Sequence, residues 1–346
     1  MSKTLQDYAT LINDTIQSNE INHYITTDNM CQNLGGIDTF KNINIPQGKV
    51  RSFQKDDVLL SNIRLYFRKV YRAKQKGGCS SDVLVFRAKH IDSATLFAIL
   101  SSQIFTDYAC SGSQGSKMPR GNKTHMMDFK IPTINFTIAK IFNSIQNKIE
   151  NNHKINELLH TLAYKIYEYY FKYKPKNAKL EQIIIENPKS SIMVKNAQKT
   201  QDKYPFFTSG DNILFYPKAI IDGRNCFLNT GGNAGIKFYV GKASYSTDTW
   251  CICANEFSDY LYLLLSSIKT HINQSFFQGT SLKHLQKNLL KKYPIYMPSA
   301  HEIKKFNQII MPLLTLISIN TRTSIKLEQI RDFLLPLLLK QQVKPK

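Results

Sequence analysis

Phe97-Ala-Ile-Leu-Ser-Ser102 and Tyr262-Leu-Leu-Leu-Ser-Ser267 are one apolar step ending in one serine pair, written twice at an offset of 165 (Ser102 against Ser267). Repetition is the first property to test in a chain of 346 residues, because a duplicated unit constrains the fold more than local propensity does. Four more pairs follow in the same order. Leu60-Ser61-Asn62 pairs with Leu228-Asn229-Thr230 at an offset of 168, and Ser81-Asp82 with Thr247-Asp248 at 166. Gln114-Gly115-Ser116 pairs with Gln278-Gly279-Thr280 at 164, and Ile131-Pro132-Thr133 with Met297-Pro298-Ser299 at 166. Five ordered matches at nearly constant spacing predict two copies of a unit of roughly 165 residues.

Each copy changes character partway. Asp57-Val-Leu-Leu60, Asp82-Val-Leu-Val-Phe86 and Lys237-Phe-Tyr-Val240 read as strands, and residues 96–105 and 260–268 as helices, which gives an α/β (α+β) globule. After Pro132 and Pro298 the period becomes helical. A helix over 133–173 carries Ile134, Ile138, Ile141, Ile145, Ile155, Leu159, Leu162, Ile166 and Tyr169. A second over 299–340 carries Ile303, Phe306, Ile310, Leu313, Ile317, Leu327, Leu334 and Leu338. Alternating three- and four-residue steps predict coiled-coil seams, polar near Asn147–Asn152 and 319–326. Forty helical residues reach about 60 Å, and Pro312 and Pro336 are expected to kink or segment the second helix. The plainer alternative is two ordinary helices, each closing its own domain.

Forty-six Lys and Arg stand against 25 Asp and Glu, a net charge of +21. Such an excess favours a polyanion, either nucleic acid or an anionic membrane surface. No apolar run reaches the length of about 18 residues that a membrane span needs, and the first residues, Met-Ser-Lys-Thr-Leu-Gln-Asp-Tyr, hold no apolar signal core. Cys31, Cys79, Cys110, Cys226, Cys251 and Cys253 form no C-x-x-C pair, so reduced thiols in a cytoplasm are expected and no metal site. Thr249, Cys251 and Cys253 alternate as on one face of a strand.

A globular α/β unit, a Gln-Gly-Ser/Thr step, an apolar-Pro-Ser/Thr step and a long helix, all given twice, resemble the specificity subunit of type I restriction–modification systems. The resemblance spans nearly the whole chain. It implies target-recognition domains at 1–132 and 180–298, and antiparallel spacer helices at 133–179 and 299–346. Leu5-Gln-Asp and Leu180-Glu-Gln look like matching domain starts. Tyr24-Ile-Thr-Thr-Asp28 and Tyr204-Pro-Phe-Phe-Thr208 look like matching first segments. It further implies double-stranded DNA as ligand, two methyltransferase subunits docked on the helices, and a motor–restriction subunit beside them. No cofactor is expected on this chain, since S-adenosylmethionine belongs to the methyltransferase partner. The second copy carries a glycine-rich turn, Asn229-Thr-Gly-Gly-Asn-Ala-Gly235, where the first has Ser61-Asn-Ile-Arg-Leu-Tyr66. Different loops are expected to read different half-sites.

The candidate DNA contacts follow charge and hydrogen-bonding capacity. Arg64, Arg68, Lys69, Arg72, Lys74 and Lys76 form a run without acids, interleaved with Tyr66, Phe67 and Tyr71. Cations neutralise phosphates, and Arg also bridges guanine O6 and N7. Arg64, Arg68 and Arg72 are expected on one DNA face. A second group is Gln114, Lys117, Arg120, Asn122 and Lys123, with Gln278, Lys283, His284 and Lys287 as its counterpart, although both glutamines also suit a structural turn. The strand turns add Ser61 and Asn62 in one copy, and Arg224, Asn229, Asn233 and Lys237 in the other.

No residue is assigned a catalytic role. Asn187-Pro188-Lys189-Ser190 lacks the second proline and aromatic of an amino-methyltransferase motif. Glu302-Ile303-Lys304 reads as a helix first turn, where acids are favourable. His153 and His160 read as surface or partner-facing residues of the first helix. The rival readings are a paired or fused restriction–methylation component with its own active site, and a basic coiled-coil structural or membrane-surface protein.

Overall fold

The computed structural model describes residues 3–38, 43–131, 133–197, 203–210 and 213–339. Pro132, at the first expected domain boundary, and residues 340–346, at the end of the second expected helix, lie outside the described residues. The chain forms two compact units, Met1–Asn151 with Ile325–Lys346, and Asn152–Ser324.

In the first unit, β1 (Ala9–Ile12), β2 (Val58–Ser61), β3 (Val70–Arg72) and β4 (Val83–Ala88) make an antiparallel sheet in the order β1-β4-β2-β3. Successive side chains of a strand point to opposite faces, and here both faces are covered. Val58, Leu60, Leu84 and Phe86 join the core beneath α2 (Ser93–Ser101) and α3 (Gln103–Ser111), with Leu5 of α1 (Leu5–Tyr8) and Met126 of α4 (Lys123–Met127). Leu59, Val83 and Val85 face a second core with Ile25, Phe53 and Cys79. That is why these strands read as unbroken apolar runs. The single helix expected over 96–105 is broken at Ser102, whose hydroxyl accepts the Phe105 N–H at 3.2 Å and caps α3.

The second unit repeats the design. β5 (Ile185–Glu186), β6 (Arg224–Asn229), β7 (Ile236–Val240) and β8 (Thr249–Cys253) follow the order β5-β8-β6-β7. The register also repeats: Val58 faces Phe86 and Leu60 faces Leu84, as Cys226 faces Ile252 and Leu228 faces Trp250. Cys226, Leu228, Trp250 and Ile252 pack under the helix Ser258–Ser267, while Phe227 and Cys251 face Phe207, Tyr239 and Tyr245. Leu5 and Leu180 are buried at matching starts, each donating its N–H at 2.9 Å to a carbonyl ahead of a long helix, Phe129 and Tyr293 respectively. Ile25 pairs parallel with Cys79, and Phe207 with Tyr245, so the two first segments also occupy the same place.

The long helices are α5 (Phe136–Tyr167), extended by one π-turn at Glu168–Lys172, and α6 (Ala300–Leu338). Their contacts run antiparallel. Asn135 N–H reaches the Leu338 carbonyl at 3.0 Å and Arg331 bonds Gln146 at 3.0 Å, both in the first unit. Asn152 bonds Ser324 at 3.1 Å and Asn320 bonds Asn156 at 3.0 Å, both in the second. Neither proline segments α6: Pro312 and Pro336 lie on its exposed face, where water reaches the carbonyls their missing N–H groups release. The helix begins with a capping box, in which Ser299 N–H and Oγ–H both donate at 2.9 Å to Glu302. Those donors and the Tyr296 hydroxyl hold the Glu302 carboxyl down at about 2.

The seam of α5 differs in phase from the apolar pattern. Ile141, Ile155, Leu162 and Tyr169 are exposed, and the inward face is Ala139, Phe142, Gln146, Ile149, Asn152, Ala163 and Tyr167. Hydropathy misses this face because its small and polar members bury through fit and hydrogen bonds. On α6, Leu314 and Leu335 point inward while Leu313 and Leu334 are half-buried. His160 is no free surface group. It packs on Tyr262, and burial pushes its imidazole down towards the neutral form.

Arg331 is only 2% exposed. It bonds Gln146 at 3.0 Å, Asp332 at 3.1 Å and the Asn33 carbonyl at 3.4 Å, while Gln146 donates to the Leu34 carbonyl at 2.9 Å. Asn33 and Leu34 are left-handed, with φ of 54° and 62°. Buried polar groups stripped of partners are costly. Arg331→Ala is therefore expected to lower unfolding stability by about 2–4 kcal/mol in a urea titration, and the exposed Lys326→Ala by under about 0.5 kcal/mol.

Candidate nucleic-acid interface

The turn after β2 is shaped by two left-handed residues, Arg64 (φ 51°) and Arg68 (φ 50°), around a short helical turn at Leu65–Phe67. Leu65 is buried and anchors it. From below, Asn33 N–H donates to the Phe67 carbonyl at 2.9 Å and Leu34 N–H to that of Arg68 at 3.1 Å. Far along the chain, Gln114 and Arg120 exchange backbone hydrogen bonds of 2.9 and 2.8 Å, closing a hairpin whose turn uses the positive φ of Gly115 (98°). Hairpin and turn are fastened together. Arg64 N–H donates to the Pro119 carbonyl at 2.9 Å, Gly121 N–H to that of Asn62 at 3.1 Å, and the Arg64 guanidinium to that of Lys117 at 3.3 Å. Asn122 then caps the helix Lys123–Met127.

This gathers Arg64, Gln114, Lys117, Arg120 and Lys123 at one surface. Ser61 and Asn62 are buried beneath it, and Asn62 N–H is tied to the Asp82 carbonyl at 2.8 Å. Arg120 stays 60% exposed despite an ion pair with Asp82 at 3.0 Å.

The rest of the basic run points elsewhere, so Arg64, Arg68 and Arg72 do not share one face. Arg68 turns inward to the Ser101 carbonyl at 2.9 Å and Asp332 at 3.8 Å, with its side chain 14% exposed. Lys69 donates to the Thr27 carbonyl. Arg72 lies 3.8 Å from Asp56, and Lys74 reaches Glu150 at 2.9 Å and Asn147 at 3.1 Å on α5. Lys76 is exposed. A charge run in sequence fans out in space because the left-handed turn and then the strand alternate its directions.

The second unit builds the same clasp. Gln278 pairs with His284 across a hairpin whose Gly279 has φ 142°, and Gly231 bridges to His284 as Ile63 does to Arg120. Gly232 N–H donates to the Lys283 carbonyl at 2.9 Å and Leu285 N–H to that of Thr230 at 3.0 Å. Thr230 N–H is tied to the Asp248 carbonyl at 3.3 Å, the equivalent of the Asn62–Asp82 bond. At the end of the glycine-rich turn, a Cβ on Gly235 would fall 2.2 Å from the Asn229 side-chain amide. Gln278, Lys283 and Asn233 are exposed at this surface.

Three residues expected there serve the interior. Asn229 is 7% exposed and is held by Asn233 and Lys237, and Lys237 also donates to the Thr208 carbonyl at 2.8 Å. Arg224 sits at the far end of β6, forked onto buried Asp259 and bonded to Thr315 at 3.0 Å and the Met311 carbonyl at 3.2 Å on α6. Lys287 lies 5.2 Å over the Trp250 ring, and burial pushes its ammonium down. Sequence reasoning named Lys117 on the first hairpin but did not single out Met118 beside it, or Ser281 and Leu282 on the second, because no charge run marks them. Among the described residues no three His, Cys, Asp or Glu side chains gather to hold a metal ion.

Residues 176–329 match the family model described as type I restriction modification DNA specificity domain. The S subunit of a type I restriction–modification system from M. genitalium aligns over 99% of this chain and 96% of its own, with a TM-score of 0.65 at 14% identity. The HsdS subunit from Thermoanaerobacter tengcongensis aligns over 99% and 97% at 13% identity, with a TM-score of 0.38. A search of curated proteins by sequence returns no match. The matched segment takes in the second turn–hairpin clasp, and the M. genitalium likeness takes in both. The chain carries a type I restriction–modification DNA specificity domain at residues 176–329 and has the fold of a type I specificity subunit.

Proposed function

We infer that the chain is the DNA-reading specificity subunit of a type I restriction–modification enzyme, and that each turn–hairpin surface reads one half of a bipartite target. One observation carries the reading: the same clasp of turn and hairpin is built in both units at matching register, with different side chains on it. Backbone bonds fix the loops, and the side chains are free to vary, as two readers of two sequences require. Phosphate contacts set register and base edges supply discrimination. In the first unit Lys117, Arg120 and Lys123 are the exposed cations for phosphate, with Arg64 and Gln114 beside them. In the second, Lys283 takes that role, with Gln278 and Asn233 beside it. Each long helix contributes to the core of both units.

The partners are two methyltransferase subunits, which carry S-adenosylmethionine, and a motor–restriction subunit. The outward apolar residues of the helices, among them Ile155, Leu158 and Leu162 on α5 and Phe333 on α6, suit such docking. The chain itself contributes recognition and no bond-making step, and it works on DNA in the cytoplasm. No described helix is long and apolar enough to cross a membrane.

Replacing Lys117, Arg120 and Lys123 together by Ala is expected to weaken DNA binding and to reduce the slope of log affinity against log salt by about 2–3, near one for each phosphate no longer neutralised. An unchanged slope would remove the hairpin from the interface. Arg224→Ala is expected to behave oppositely. It should cost about 3–5 kcal/mol in folding by stranding Asp259, and leave the salt slope of the folded fraction unchanged. Radiolabelled S-adenosylmethionine offered with target DNA to the isolated chain should give no methyl transfer, and transfer by the pure chain would restore the enzyme reading.

A further inference from the structure

The hairpins at 114–120 and 278–284 have diverged almost everywhere between their shared ends. Both open with Gln-Gly-Ser/Thr, after which Lys117, Pro119 and Arg120 are replaced by Ser281, Lys283 and His284. One position keeps its chemistry. Met118 and Leu282, at the hairpins' common offset of 164, are both large and apolar, and they are 58% and 57% exposed. A single exposed apolar side chain needs no explanation. The same exposure at the same register of two otherwise diverged loops does.

The fold does not account for it. The hairpins close through backbone bonds and their left-handed glycines, and a Cβ on Gly279 would strike the carbonyl of Leu282, not its side chain. Neither side chain belongs to a core. Each stands among cations and polar groups suited to phosphates: Lys117 and Arg120 in one unit, Lys283 and His284 in the other. An apolar group carried into a groove by such neighbours meets one apolar feature on the base edges of the major groove, the C5 methyl of thymine.

We propose that Met118 and Leu282 are specificity-determining residues, each packing on a thymine methyl, one in each half-site. The proposal rests on the reading of the chain as a DNA specificity subunit. Met and Leu suit the task because their side chains reach past the backbone while keeping the contact apolar. A polar residue there would have to desolvate against a methyl without gaining a bond.

The test uses the chain assembled with its methyltransferase subunits and duplexes carrying the target read from the host's methylated positions. Each thymine is replaced in turn by deoxyuridine, which removes only the methyl. One replacement in each half-site is expected to weaken binding about three- to tenfold, the order for one buried methyl. Met118→Ala should abolish the penalty in one half-site and Leu282→Ala in the other, while Met118→Leu keeps it. The proposal is overturned if wild type prefers its target over a scrambled duplex yet ignores every deoxyuridine. Alanine variants that keep the full penalty, or a half-site without thymine on either strand, overturn it too. No preference of wild type for its target over the scrambled duplex would overturn the specificity reading and this proposal together.

Discussion

Neither globule closes its own core. The first buries Leu96, Phe97 and Phe105 against Ala139 and Phe142 of one long helix and Leu335 and Leu338 of the other. The second buries Tyr260, Leu261 and Leu264 against Ala163 and Tyr167 of the first helix and Ile303, Phe306 and Ile310 of the second. Each unit therefore needs the start of one helix and the end of the other, and each helix serves both units. The need for both helices ties the folding of each unit to the helix pair. The same constraint reaches the candidate surface of the first unit. Arg331 and Gln146 hold the carbonyls of Asn33 and Leu34, whose N–H groups hold the 64–68 turn, on which the hairpin is fastened.

The net charge of +21 divides between two jobs. Arg68, Arg224 and Arg331 meet acids or carbonyls in settings where water is scarce, and hold elements together. Guanidinium suits this, since its planar fork matches a carboxylate and is less strongly hydrated than an ammonium. The lysines at the hairpins and Arg120 stay exposed to solvent. The distinction matters for specificity, because an internal Arg alters binding only by altering the fold. Chemistry thus separates residues that sequence groups by type.

The duplication was legible because it was written in backbone-demanding residues. Gln-Gly-Ser and Gln-Gly-Thr survive since both hairpins need a left-handed glycine, and Asp82 and Asp248 mark the same carbonyl clamp. The strands were legible as apolar runs because both their faces are buried. The seam of α5 was misphased because Gln146, Asn152 and Ala163 face inward while Ile141, Ile155 and Leu162 face outward. Periodicity counts apolar residues and does not count hydrogen bonds such as that of Asn152 to Ser324. The basic run gave only Arg64 to the candidate surface together with the hairpin, because the direction of each side chain depends on left-handed residues that composition does not reveal. The apolar hairpin tips carried no sequence signal alone. They became visible once the register made Met118 and Leu282 equivalents.

The independence of two readers, one in each unit, follows from the duplicated clasp. Its most direct measurement is modification-sensitive sequencing of a host genome in which residues 180–298 have been exchanged for those of a relative with a different target. The account predicts a methylated motif with one half changed, the other half intact and the gap between them preserved. A motif altered in both halves, or unaltered in either, would contradict it.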